Sequence, residues 1–288
     1  LKRIGFGEYA EVFLKHVRSQ LRVWERYECS LKSLKPFFGN VQLTAIDAES
    51  IERYKQARAE EVEPATVNRD LHVLRRMFNL AMAWGYARES PVRFVKFFRE
   101  RNSRLRYLTR EEFERLVEGC PEWLEALVTV AVHTGMRRGE LLALTWTDVD
   151  LENGFASVND PKNATPRKVP LNESARVVLS ALKSSSKSTR VFSNEVGEKI
   201  SHEHLRVNFH RALAAAKIED FRFHDLRHTC GSWLAMAGVD IRRIQEVLGH
   251  KTISMTLRYA HLAPNQAADA VGKLDMFTRS NRNVANQK

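Results

Sequence analysis

The chain has 288 residues, enough for two domains that each bury a core, and 43% of them are hydrophobic. Its 46 Lys and Arg against 35 Asp and Glu give a formal charge of +11, a balance suited to a polyanionic partner. No apolar run reaches the length of a membrane span and no signal-peptide pattern opens the chain. Cys29, Cys120 and Cys230 have neither CxxC nor Cys/His metal spacing, so a disulfide framework and a zinc module are set aside and a cytoplasmic setting is expected.

Residues 6–90 read as all-helical. Phe6 to about Tyr27 forms a first amphipathic helix, and Ser30 to Phe38 a second that Gly39-Asn40 stops. Thr44-Ala45-Ile46-Asp47 leads into a third that runs to about Ala59. Pro64-Ala65-Thr66 opens a fourth, with Leu71, Leu74, Met77, Phe78, Ala81 and Met82 at helical spacing until Gly85. Its other face carries Arg69, Arg75 and Arg76, which suit either a solvated surface or a phosphate backbone.

Ser90-Pro91 ends this block. Arg93, Lys96, Arg99, Arg101, Arg104 and Arg106 follow, interleaved with Phe94, Phe97 and Phe98 and opposed only by Glu100. Such a linker can track a phosphate backbone between two domains. Residues 1–105 hold 20 basic and 13 acidic side chains, so most of the excess charge lies in the smaller first part.

Thr109-Arg110-Glu111-Glu112 is a capping box that opens the second domain. A helix over 121–133 ends at Thr134-Gly135, and Met136-Arg137-Arg138-Gly139-Glu140-Leu141 starts another, with Arg137 and Glu140 three apart on one face. Val149–Leu151, Asn153-Gly154 and Phe155–Val158 read as a β-hairpin. A second turn, Pro161 to Pro166, carries Lys162 at its tip and leads to a third strand, Lys168–Leu171. Ser184 to Ser188 reads as a polar loop, and residues 201–216 return to helix.

The chain then reaches the stretch its chemistry depends on. Asp225 to Ala237 reads as a helix with Leu226, Cys230, Trp233, Leu234 and Ala237 on one stripe and Gly238 at its stop. His224 and Arg227 project from nearly the same face, and Gly231 continues that face without a side chain, leaving room for something bulky. Asp240 caps a second helix through Ile241, Ile244, Val247 and Leu248, which Gly249 ends. His250 lies just beyond, and Tyr259 follows on a short third helix. Arginine gives bidentate, permanently charged recognition of phosphate, histidine moves protons near neutral pH, and a deprotonated tyrosine is a nucleophile. The set suits phosphodiester chemistry. The tail places Ala267, Ala268, Val271, Leu274 and Phe277 at helical spacing, and 279–288 reads as a polar, disordered end.

Five pieces in this order resemble the tyrosine recombinase (phage integrase) family across nearly the whole chain. Thr134 to Leu141 looks like the first-arginine motif, Lys162 before Val169-Pro170-Leu171 like the β-turn lysine, and His224-Asp225-Leu226-Arg227-His228 like the His-x-x-Arg box. Leu248-Gly249-His250 looks like the third-histidine motif and Tyr259 like the nucleophile. Met136 stands where Leu is commoner and Gly139 where Ser is common, neither at a reacting atom.

The resemblance implies a mainly α fold with a small antiparallel sheet (α+β). It divides the chain into a helical core DNA-binding domain over 1–92, a basic linker over 93–106 and a catalytic domain over 107–278. It further implies strand exchange through a 3′-phosphotyrosine on double-stranded DNA sites, in a homotetramer, with accessory DNA-bending proteins as further partners and no cofactor or metal. Arg137 and Arg227 would hold phosphate oxygens, Lys162 would protonate the leaving oxygen, His224 would manage the tyrosine proton and His250 would donate to phosphate. Glu140 and His228 would support them. Arg69, Arg75, Arg76, Arg93, Lys96, Arg99, Arg101 and Arg104 are the expected DNA contacts. A type IB topoisomerase, a chromosome-dimer-resolving recombinase and a DNA-binding protein with a dead site are the alternatives. The chain opens on Leu1, which leaves open an arm-binding domain ahead of it.

Overall fold

The computed structural model describes residues 1–100, 104–158, 167–185, 188–194, 196–264, 271–272 and 274. It divides into two compact units, Leu1–Asn102 and Ser103–Lys288.

Four helices build the first unit: α1 (Phe6–Gln20), α2 (Glu25–Phe38), α3 (Ala48–Glu61) and α4 (Pro64–Ala83). Helix α1 buries Phe6, Tyr9, Ala10, Phe13, Leu14 and Val17, and α4 buries Val67, Leu71, Leu74, Met77, Phe78 and Ala81, each a stripe at helical spacing. Several polar groups inside this core are paired, although the buried Ser90 Oγ has no partner. Tyr9 donates to the Met77 carbonyl at 2.9 Å, and the buried Asp70 carboxylate accepts from Tyr54 at 2.8 Å and Ser33 at 3.1 Å. Asp47 caps α3 in a capping box with Ser50.

Two boundaries differ from the sequence reading. The first helix stops at Gln20 rather than near Tyr27, and α2 starts at Glu25. Leu21 is extended, and the corner is clamped by Arg18, whose guanidinium lies 4.3 Å from the Trp24 ring centre and pairs with Glu28 at 3.0 Å. Helix-forming residues occupy the corner, so only this packing reveals the break.

Part of the expected linker belongs to the first unit. Val92 and Val95 are buried in its core. Asn68 holds the Phe98 backbone at both N–H and carbonyl, each at 2.9 Å, and Lys55 donates to the Lys96 carbonyl at 2.9 Å.

The second unit contains α5 (Arg110–Glu118), α6 (Glu122–Thr134), α7 (Arg138–Ala143), α8 (Glu173–Ser185), α9 (His202–Ala215), α10 (Asp225–Met236) and α11 (Ile241–Leu248). A three-stranded antiparallel sheet, β1 (Val149–Asp150), β2 (Phe155–Val158) and β3 (Arg167–Pro170), lies in that order. Ala156 pairs with Val169, and both face the core. Helix α8 has no counterpart in the sequence reading, although Ala175, Val178, Leu179 and Leu182 face the core. Its last serines stay helical by bonding backward: Ser184 donates to the Ser180 carbonyl at 2.7 Å and Ser185 to that of Ala181 at 3.3 Å. The expected tail helix lies mostly outside the described residues, and Val271 and Leu274 are exposed. Among the described residues no helix is long and apolar enough to cross a membrane.

Candidate active site

Helix α10 is the frame of the site and is buried along most of its length. Three contacts fix it to the segment ahead of α5. Thr229 accepts from the Leu108 N–H at 3.0 Å, Trp233 donates to the Leu108 carbonyl at 2.9 Å, and Asp225 pairs with Arg104 at 3.0 Å. Anchored through these three side chains, α10 presents Arg227 and His228 to the site.

Arg227 is only 3% exposed. Its Nη1 donates to the Gly135 carbonyl at 2.6 Å, and its buried Nη2 has no partner. Burial, then the charge of Arg137, pulls its pKa down to about 10. A guanidinium left half-satisfied in the interior is costly, and an incoming anion would complete it.

Arg137 lies at the start of α7, fastened by its own glutamate. Its backbone N–H donates to Glu140 Oε2 and its Nη1 to Oε1, both at 2.8 Å, while Nη2 reaches the Gly249 carbonyl at 3.3 Å. Burial pushes the Glu140 carboxyl up, but the Arg137 N–H and the charges of Arg167 and Arg137 hold it below its ordinary value. The sequence reading did not single out Arg167, which donates to Glu140 Oε2 at 2.8 Å and to the Val247 carbonyl at 3.0 Å.

His250 follows Gly249, which ends α11 in the left-handed conformation at φ 63°. Its Nδ1 lies 2.9 Å from Thr256 Oγ, and burial followed by the Arg227 charge lowers its pKa to about 4. The ring is therefore neutral at ordinary pH and can donate from one nitrogen.

Tyr259 lies on a 3₁₀ turn, Leu257–Leu262, and is fully buried. Its ring rests where Gly231 has no side chain: a Cβ there would stand 2.7 Å from Tyr259 Cζ. Gly231→Ala is therefore expected to destabilise the fold by about 1–3 kcal/mol through overpacking. The same change should slow any chemistry at Tyr259 by displacing its ring. Thermal melting and a cleavage assay check both, and an unchanged melting temperature would refute the packing.

The hydroxyl of Tyr259 meets His228 Nδ1 at 2.8 Å, not His224. The reason is helical geometry: His228 is one turn further along α10 toward Tyr259, whereas His224 precedes the helix and stands exposed, its ring 5.2 Å from that of His228. Burial, then the neighbouring His224 and Arg258, takes the His228 pKa down to about 4. Burial raises the Tyr259 phenol to about 12, with Arg227 and Arg258 opposing.

Lys162 and Arg101 lie outside the described residues. Of the other expected DNA contacts, Arg69, Lys96 and Arg99 are exposed. Arg75 leans on His72 at 2.8 Å, Arg76 donates to the Tyr27 hydroxyl at 2.8 Å, and Arg93 pairs with Glu89 at 2.8 Å. Arg104 is engaged most fully, by Asp220 as well as Asp225. Among the described residues no group of three His, Cys, Asp or Glu is placed to hold a metal ion.

Comparison with known proteins finds the phage integrase family profile over residues 106–266 and the phage integrase N-terminal domain over 5–99. The integrase of Salmonella phage P22 is 34% identical over 71% of this chain, which spans 56% of that protein. A shufflon-specific DNA recombinase of Escherichia coli is 31% identical over 91% of this chain and 67% of its own length. Among solved structures, a lambda integrase dimer bound to a COC′ core site matches 88% of this chain and 97% of its own with a TM-score of 0.77 at 21% identity. A lambda integrase tetramer bound to a Holliday junction matches 87% and 79% with a TM-score of 0.76 at 20% identity.

Proposed function

The chain belongs to the phage integrase family, and from that premise we propose that it is a site-specific recombinase of a phage or other mobile element. Its substrate is double-stranded DNA, which it cleaves and rejoins through a 3′-phosphotyrosine. The observation that supports this best is the buried Arg227, whose unpartnered Nη2 sits in the same electrostatic neighbourhood as Arg137 and Tyr259. A phosphodiester supplies the anion this guanidinium lacks.

In this reading Tyr259 Oη attacks the scissile phosphorus. The new P–O bond forms as the P–O5′ bond breaks, so the bond energy is kept in the phosphotyrosine for rejoining. Arg137 and Arg227 hold non-bridging oxygens and stabilise charge growing on them, and His250 donates a further hydrogen bond. The phenol proton passes first to His228, its hydrogen-bond partner, with His224 beside it. Lys162 protonates the departing 5′-oxygen. The lambda integrase tetramer on a Holliday junction supports a homotetramer on DNA here. Accessory DNA-bending proteins and a cytoplasmic setting are further parts of this proposal.

A duplex recovered by this protein from a randomised pool, with sulfur replacing the bridging 5′-oxygen at the cleavage position, tests the reading. A thiolate leaves without a proton and rejoins poorly, so the 3′-adduct accumulates. The unaltered chain should give a protein–DNA adduct on a denaturing gel in EDTA. Lys162→Ala should match it on the sulfur duplex yet fall about 10²- to 10⁴-fold behind on ordinary DNA, the usual worth of a general acid. No adduct from the unaltered chain would end the recombinase reading. Equal slowing of Lys162→Ala on both duplexes would remove Lys162 from the acid role.

A further inference from the structure

We infer that Arg167 is a positioning residue of this site, one that locks the Arg137–Glu140 pair to the backbone turn from which His250 projects. The inference rests on the recombinase reading and adds to it a residue that the reading does not use.

Arg167 opens β3, opposite Val158 of β2. Its guanidinium leaves the sheet and joins two elements distant in sequence. Nη2 donates to Glu140 Oε2 at 2.8 Å, and Nη1 donates to the Val247 carbonyl in the last turn of α11 at 3.0 Å. The same group lies flat against Gly249, where a Cβ would stand 2.7 Å from Nε and 2.8 Å from Cδ. Gly249 thus answers two demands at once, a left-handed φ of 63° and the close approach of an arginine.

The two arginines share their partners. Arg137 also uses Glu140, and its Nη2 reaches the Gly249 carbonyl, so a single carboxylate and a single glycine are gripped from two sides. Glu140 is 9% exposed and Arg167 23%, which screens this pair far less than a surface one. A lysine could reach the carboxylate or the carbonyl, but its single nitrogen does not match the planar fork that takes both. Arg167 thereby sets where Arg137 stands relative to His250, its own Nη1 and Nη2 being taken up by Val247 and Glu140.

Single-turnover cleavage of the selected duplex, with DNA affinity measured alongside, provides the test. Arg167→Ala should cleave about 10²-fold more slowly, the scale of a misplaced reacting group, with affinity unchanged within threefold. Arg167→Lys should recover only part of the rate. A double-mutant cycle then separates placement from general loss of structure. If Arg167 works by placing Arg137 relative to His250, adding Arg167→Ala to His250→Ala should slow cleavage by less than about tenfold beyond His250→Ala alone, since only the Arg137 share of the placement is left to lose.

Full multiplication of the two effects would overturn the inference, as would a cleavage rate for Arg167→Ala within threefold of the unaltered chain. Should Arg167→Ala fail to fold, Arg167→Gln, which keeps a donor for the Val247 carbonyl, enters the same cycle with the same expectations. An unaltered chain that forms no adduct removes the recombinase reading and this inference together. An unaltered chain that cleaves while Arg167→Ala cleaves equally well removes this inference alone.

Discussion

Tyr259→Phe should bind the selected duplex as tightly as the unaltered chain and form no covalent adduct with it. The substitution leaves the ring, and the ring is what packs: it fills the space over Gly231 and is closed off from solvent. Only the hydroxyl goes, and with it the hydrogen bond to His228 at 2.8 Å. That loss leaves one imidazole nitrogen unpartnered in a half-buried place, a cost of about 1–3 kcal/mol that a small fall in melting temperature would register. The chemistry has no comparable fallback, since phenylalanine has no atom to join to phosphorus and hydrolysis by water leaves no protein–DNA bond. Denaturing gels read the adduct, and filter binding reads affinity. A protein–DNA adduct from Tyr259→Phe would transfer the nucleophile to another residue.

How much of this was legible beforehand depends on whether a feature is local. The capping box at Thr109 involves residues three apart, and the apolar stripe of α4 repeats within one helix. Such patterns can be read from a sequence because the groups that interact are also near each other along it. The hairpin at Asn153-Gly154 is of the same kind, its turn residues sitting between two short strands.

Long-range pairing was not legible. Arg104 looked free to meet phosphate, yet Asp220 and Asp225, more than a hundred residues on, hold it. Arg167 stands in a strand like any other basic residue until Glu140 and Val247 are brought beside it. The histidines show the limit most clearly. Spacing paired His224 with Arg227 and the resemblance added His228 as a support, but a choice between the two histidines needs the direction from which Tyr259 arrives. Helix α8 is different. Its apolar spacing was in the sequence, and the serines at its end drew attention to a loop instead.

Arg227→Met is expected to reduce cleavage by about 10³-fold or more while leaving the DNA-free protein no less stable. Removing one preorganised donor from a developing oxyanion typically costs about 10²- to 10³-fold, and here a full positive charge goes with it. The stability side follows from where the guanidinium sits. A pKa lowered to about 10 means that the folded chain carries, to order of magnitude, 3 kcal/mol of unfavourable interaction with that charge. Burial is the first cause and Arg137 the second, so both disappear when the side chain is uncharged. Methionine fills a similar volume with an apolar, adaptable chain, which avoids the cavity an alanine would leave. Against this gain stands the Gly135 carbonyl, which loses its donor at 2.6 Å and costs about 1–3 kcal/mol if nothing replaces it. The two effects are of similar size, so the melting temperature should stay level or rise, whereas cleavage collapses. Arg227→Lys separates charge from shape: its one nitrogen cannot satisfy Gly135 and grip two phosphate oxygens together, so its rate should fall nearly as far. Cleavage by Arg227→Met within tenfold of the unaltered chain would remove Arg227 from the phosphate. A fall of more than 10 °C in melting temperature would instead mean that the buried cation holds the fold together.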